Sequence, residues 1–403
     1  MEDEFSRRAG AAIRAALEPH VDRRELPGAV ALVAVGADAH LEAVGTLGFD
    51  NPRAMAGDSV FRIASLTKPI TAVAALSLVE SGDLDLDAPV DPLLPELANR
   101  RVLRSLESEL DDTVAAARPI TARDLITCRL GFGSVPAFPG TFPIQVAEDR
   151  AGLKTLTAPW PPSPLGADEW LVAFGSLPLM HQPGQVWRYN TGMQVLGFLL
   201  ERLSGATLEE VLRDRVLGPL GMADTTFVLR ADQQERFTTA YEPDAASGEL
   251  RVLDPAVGGY WSAAPASYSG AAWLLSTVDD YWRFARMVRA GGAWGGTRVL
   301  TEETVQLMCR DQLPPEVRAG TEPFLSAGTS WGLGLGTVQS GAELPLGRGY
   351  GWDGATGTMW WTDPRSDVTG ILFTQRALTS ADLPPVFLDF WQAVDAIAAG
   401  ADT

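Results

Sequence analysis

A chain of 403 residues with 46% apolar content is long enough for one large domain or two smaller ones around a real core, which excludes disorder over most of its length. Fifty-one acidic against 32 basic residues give a formal charge of −19, and no basic patch interrupts the excess, so neither nucleic acid nor an anionic membrane is expected as a partner. Two cysteines, Cys128 and Cys309, are too few for a disulfide framework, and His20, His40 and His181 lie too far apart for a zinc hydrolase.

The first residues, Met1-Glu2-Asp3-Glu4, carry acids where a signal peptide would be apolar, and no later run reaches membrane-spanning length, so a cytoplasmic protein is expected. Apolar spacing over residues 4–19 predicts a helix that stops at Pro19. Residues 28–36 and 40–48, bounded by glycines, predict a strand pair. Ser59-Val60-Phe61-Arg62-Ile63 is strand-like and leads into a helix over 69–81, closed by Gly82. From about 69 to 300 the pattern is mostly helical, including a helix over 193–204 closed by Gly205. Within it, residues 132–187, rich in Pro, Gly and aromatics, are expected as ordered loops over a site. Residues 331–338, 356–362 and 367–375 are rich in β-branched and aromatic residues and predict strands, and 383–399 returns to helical spacing. The expected fold is α/β of the α+β kind. An antiparallel sheet is formed by the two ends of the chain, residues 1–70 and 260–403, and a mostly helical region, residues 71–259, is inserted between them.

Three segments carry chemistry. Ser65-Leu66-Thr67-Lys68 opens the helix over 69–81, and i,i+3 spacing puts the Lys68 amine within reach of the Ser65 hydroxyl. A serine is a weak nucleophile until a base stands beside it. Ser-x-x-Lys alone is equally compatible with a capped helix bearing a surface lysine. Lysine usage counts against that: of 32 basic residues only Lys68 and Lys154 are lysine, and unlike arginine a buried lysine can give up its proton. Lys154 reads as a surface loop residue. In the second segment, Tyr189-Asn190-Thr191-Gly192, the tyrosine sits in a loop just before a helix. In the third, Gly351-Trp352-Asp353-Gly354-Ala355, glycines let backbone come close to a ligand where free amides can serve an oxyanion. There is no Gly-x-Ser-x-Gly elbow for a Ser-His-Asp hydrolase.

Together these segments resemble the serine β-lactamase superfamily, closest to its class C enzymes, DD-peptidases and family VIII carboxylesterases. The likeness extends through Leu84-Asp85-Leu86-Asp87, Pro219-Leu220-Gly221-Met222 and Trp331-Gly332-Leu333-Gly334 over nearly the whole chain. The resemblance implies Ser65 as nucleophile, Lys68 as its partner, and Tyr189 as the residue that shares base duty and protonates the leaving group. It implies an oxyanion hole from the Ser65 and Ala355 amides. Substrate contacts would come from Asn190, Thr191, Trp352, Asp353 and Gly354. Metals and organic cofactors are not required.

Departures shift the substrate. Thr191 stands where relatives place an amide side chain that grips an acylamino group. Trp352-Asp353-Gly354 replaces a Lys-Thr-Gly or His-x-Gly triad that offers a donor to a lactam carboxylate. The esterase branch is similar in having Trp, but with a small residue in place of Asp353. Cys128-Arg129-Leu130-Gly131 replaces His-Thr-Ser-Gly. The expectation is a hydrolase of small carboxylic esters, with Trp187, Tyr260, Trp261 and Trp352 forming an apolar pocket. Amide hydrolysis, peptidase, lactamase or acyltransferase work by the same nucleophile is the alternative, and a non-catalytic ligand-binding relative is the alternative of another class.

Overall fold

The structure is a computed structural model and describes residues 4–153, 161–244, 246–318, 320–339, 349–380 and 383–400. Lys154 and Trp160 lie outside the described residues.

An eight-stranded antiparallel sheet forms the centre. Three strands come from the N-terminal part, β1 (Gly28–Val35), β2 (Asp38–Gly48) and β3 (Asn51–Ala54). Five come from the C-terminal part: β4 (Thr329–Trp331), β5 (Gly336–Val338), β6 (Tyr350–Gly354), β7 (Thr358–Asp363) and β8 (Val368–Thr374). Their order is β4-β5-β6-β7-β8-β1-β2-β3. The two ends of the chain join where β1 pairs β8, from Ala29 opposite Thr374 to Val35 opposite Val368.

Helices cover both faces, which is why β1, β7 and β8 are near-continuous apolar runs rather than alternating ones. On one face lie the terminal helices α1 (Glu4–Asp22) and α5 (Pro385–Ala399), where Trp391 Nε1 reaches Met359 of β7. On the other lies α4 (Val278–Arg289), whose Tyr281 packs edge-on against Trp360 and Phe373 at 5.7 Å. Beyond α4 are α2 (Thr67–Glu80) and α3 (Thr191–Ser204). Eleven of the residues of α2 are buried, so it is an interior helix with no solvent face.

Several expectations change at their edges. Helix α1 runs through Pro19 to Asp22 because its last turn is held by tertiary contacts: buried His20 is gripped by Glu25 and, at 2.7 Å, by Asp389 of α5. Residues 331–338 form two strands rather than one. The chain reverses at Gly332–Leu335, with Gly334 at φ 81° and the Gly332 amide bonded to the Leu335 carbonyl at 2.8 Å. Among its described residues the stretch 132–187 contains two helices, Pro143–Arg150 and Ala167–Ser176, that its Pro and Gly content concealed. The second buries Trp170, Leu171 and Phe174 along one stripe and is capped by Glu169 on the Gly166 amide. Among the described residues no helix is long and apolar enough to cross a membrane.

Candidate active site

Ser65 lies in a short 3₁₀ turn, Ala64–Leu66, that runs directly into α2. Ala64 is held at φ 41°, a left-handed conformation that costs an alanine about 1 kcal/mol and persists only where the surroundings enforce it. Here they do. The Ile63 amide bonds the Leu274 carbonyl at 2.9 Å, the Leu274 amide bonds Thr67 Oγ1 at 3.2 Å, and the Tyr281 hydroxyl bonds the Leu66 carbonyl at 3.2 Å.

Lys68 Nζ lies 2.8 Å from Ser65 Oγ and donates to the Ala271 carbonyl at 2.7 Å. The amine also sits 4.2 Å from the centroid of the Tyr189 ring. Its side chain is fully buried while Ser65 keeps 8% exposure, so substrate can reach the serine and water cannot surround the amine. Burial pushes the Lys68 pKa from 10.5 down to about 7, and among the described residues no carboxylate pairs with it to restore the charge. A substantial neutral fraction exists at neutral pH.

Tyr189 reaches the same point from the loop before α3. Its hydroxyl interacts with Ser65 and accepts a hydrogen bond from Trp352 Nε1 at 2.5 Å. Burial pushes its pKa far above the ordinary phenol range, and the bonds from Ser65 and Trp352 offset only part of that, so the phenol keeps its proton. Asn190 follows at φ 75°, and its amide bonds the thiol of Cys128. Cys128 itself is buried, with its thiol pushed up to about 12 by burial, and lies near enough to Lys68 to interact with its charge. Thr191 is fully buried in the first turn of α3 and among the described residues its Oγ1 has no hydrogen-bond partner, so it offers substrate no surface in this conformation.

The third segment is brought to the serine by backbone stitching. Thr356 Oγ1 bonds the Arg62 carbonyl, Thr358 Oγ1 bonds the Ile63 carbonyl at 3.3 Å, and Gly354 packs so tightly that a Cβ there would collide with the Ile63 carbonyl oxygen. The turn bearing Ala355 is thereby fastened beside the turn bearing Ser65. Among the described residues, strand β5 pairs β6 only at Gly351 and Tyr350, and no strand pairs the Trp352–Gly354 edge on that side. Trp352 points at Tyr189, whereas Asp353 is half-buried and accepts from Trp361 Nε1 at 2.9 Å.

Aromatic rings wall the site. Tyr189 is within 6.0 Å of Trp187, Phe324, Trp331 and Trp352, and Trp331 meets Trp352 edge-on at 4.7 Å. Trp187 and Trp352 were expected in this pocket. Among the described residues neither Tyr260 nor Trp261 makes a ring contact with Tyr189: Trp261 stacks on Trp273 at 4.2 Å, over the buried Arg62–Asp254 pair, and Tyr260 follows that pair's loop. Phe324 and the part played by Trp331 carried no local signal, since both reach Tyr189 only through tertiary folding. The Ala271 carbonyl that holds Lys68 is likewise a backbone atom no motif marks.

Each histidine is engaged away from the serine. His20 is bonded to Glu25 and Asp389, His40 to Glu42 at 3.0 Å, and His181 to Arg188 at 2.9 Å. Burial, aided by Arg188, pushes the His181 pKa down to about 4. Among the described residues no three His, Cys, Asp or Glu side chains cluster as metal ligands.

A serine with a buried lysine at bonding distance and a tyrosine over both, set between an antiparallel sheet and a helical layer, is a serine–lysine site suited to acyl transfer. The chain belongs to the β-lactamase family: residues 13–386 match the family profile described as Beta-lactamase. Protein Rv1367c of Mycobacterium tuberculosis is 37% identical over 332 residues, covering 80% of this chain and 79% of that protein. Esterase EstB of Burkholderia gladioli is 30% identical over 387 residues, covering 91% and 90%. In fold the chain is similar to EstCE1, described as a hydrolase with promiscuous acyltransferase activity, with a TM-score of 0.80 and 23% identity over 97% of this chain and 100% of that one.

Proposed function

We propose that the protein is a serine hydrolase of small-molecule carboxylic esters, acting in the cytoplasm through an acyl-enzyme on Ser65. The observation that carries this reading is the fully buried amine of Lys68, lowered to about 7 and 2.8 Å from the Ser65 hydroxyl. As neutral Lys68 takes the proton, Ser65 Oγ attacks the ester carbonyl. The oxyanion forms between the Ser65 and Ala355 amides, and removing one such donor costs about two to three orders of magnitude in comparable sites. Tyr189, which keeps its proton, is suited to relay it from Lys68 to the departing alkoxide. Water then enters along the same relay and releases the acid. EstB and its description as an esterase support an ester over a lactam, as does Trp352 in place of a cationic side chain.

A second reading is acyl transfer to an alcohol. The aromatic wall beside Tyr189 favours an organic acceptor over water, and EstCE1 is described with that side activity. Intact mass spectrometry after mixing with p-nitrophenyl butyrate tests both. The parent chain should gain one butyryl group and Ser65→Ala none; turnover by Ser65→Ala would refute the assignment, and butyryl esters formed from an added alcohol in excess of hydrolysis would favour transfer.

A further inference from the structure

Trp273 is held at φ 98°, a conformation that a bulky residue keeps only where its surroundings enforce it, and it stands two residues from the carbonyl of Ala271 that receives the Lys68 amine. On its C-terminal side Leu274 is fastened to the nucleophile turn, its amide to Thr67 Oγ1 and its carbonyl to the Ile63 amide. Rotation about φ of Trp273 therefore decides where the preceding peptides go, and the Ala271 carbonyl with them. Among the described residues the Trp273 carbonyl accepts one hydrogen bond, from Trp261 Nε1 at 2.7 Å. The Trp273 indole adds no bond of its own, since its buried Nε1 has no partner among the described residues, and its ring lies stacked on Trp261. Trp261 is itself fixed from behind. The Arg62 guanidinium lies 5.2 Å from its ring and donates to Asp254, which accepts from the Tyr260 amide at 2.8 Å and so clamps the loop that delivers Trp261. At the N-terminal end of the segment Ser269 Oγ accepts the Ala271 and Ala272 amides, both at 3.2 Å. The strained turn between these two fixed ends has the Trp261 N–H as its side-chain donor.

Resting on the serine–lysine reading of the site, we propose that Trp261 is a positioning residue for the base: its indole N–H holds the left-handed turn at Trp273, and that turn holds the Ala271 carbonyl against the Lys68 amine. An acceptor facing an ammonium favours the charged form, so displacing it lowers the proton affinity of the amine further. The other titratable groups facing the amine, Tyr189 and Cys128, keep their protons through burial and do not titrate near neutral pH.

Trp261→Phe keeps a ring over Trp273 and removes the donor. With p-nitrophenyl butyrate its kcat should fall about tenfold or more with KM little changed, and the rise of kcat/KM with pH should move about one unit toward acid. A packing role alone would lower Tm and leave the midpoint of that rise where the parent has it, and this result overturns the proposal. Trp261→Gly supplemented with indole, or with benzothiophene of the same shape but no N–H, separates donor from volume. Both compounds should raise Tm, and indole alone should restore kcat and the parent midpoint; equal restoration by the two overturns the proposal. Labelling of Ser65 by a fluorophosphonate across the same pH range reads the amine without an ester. A parent that labels but hydrolyses no ester, with a labelling midpoint that moves toward acid in Trp261→Phe, would remove the ester reading and keep the proposal. A parent that neither labels nor hydrolyses would remove the serine–lysine reading and the proposal with it.

Discussion

Replacing Lys68 by Met should make the protein more stable at pH 6 while abolishing its chemistry. Met nearly matches the volume of the lysine stem, so the core is refilled rather than emptied. The fall of the Lys68 pKa from 10.5 to about 7, at about 1.4 kcal/mol per tenfold in proton affinity, corresponds to a cost of about 5 kcal/mol for holding the ammonium in the fold. Met removes that cost but leaves the buried Ala271 carbonyl without its donor, which costs about 1–3 kcal/mol. A net gain of about 2–4 kcal/mol is expected at pH 6. Below about 7 both folded and unfolded chains are protonated and the penalty is complete. Between 7 and 10.5 the unfolded chain keeps the proton that the folded one has lost, so the parent gains stability as pH rises. The advantage of Met should therefore shrink to near zero by pH 9 and reverse above 10.5. Urea unfolding midpoints of the two proteins at pH 6, 7.5 and 9 measure this directly. Parent kcat/KM should rise through about pH 7, and the variant should lose at least about two orders of magnitude. A Met variant less stable than the parent at pH 6, or a stability gap independent of pH, would refute the reasoning that burial lowers this amine.

Two other substitutions probe the remaining machinery. Tyr189→Phe keeps the ring among Trp187, Phe324 and Trp352 but removes the hydroxyl, so kcat should fall about 10²-fold or more with KM little changed. The loss should be larger for ethyl than for p-nitrophenyl esters, whose leaving group needs no proton; equal losses would deny Tyr189 a part in protonation. Gly354→Ala would drive a Cβ into the Ile63 carbonyl and push the Ala355 turn off the serine, lowering kcat about 10²-fold and stability by about 1–3 kcal/mol. Full activity would show that the two turns need not be in register.

The proposed reactive pair was legible because it is local. Ser65 and Lys68 are three positions apart on a chain that uses lysine only twice, and no tertiary contact is needed to read that spacing. Tyr189 and Trp352 became legible through the ordered series of family-like segments, and the structure bonds them to one another across 163 residues of chain. Thr191 shows the limit. Its place in the series marked it as a substrate contact, yet the first turn of α3 buries it, because which face of a helix is covered depends on what packs there. The helix at Ala167–Ser176 was hidden for a related reason: flanking Pro and Gly masked an amphipathic stripe whose partners lie elsewhere in the fold.

By itself the sequence determined the order of elements, the antiparallel strands at both ends of the chain, and the pairing of a serine with a lysine amine three positions away, the pair proposed as nucleophile and base. These follow from residue type and from spacings within one turn of helix or one strand. The tertiary structure decided the rest. It lowered the Lys68 amine by removing water from it, set Trp331 and Phe324 around Tyr189, sent Trp261 to the Arg62–Asp254 pair, and gave Asp353 the Trp361 indole as a donor. Desolvation and long-range contact are properties of what surrounds a residue, and chain spacing does not encode surroundings.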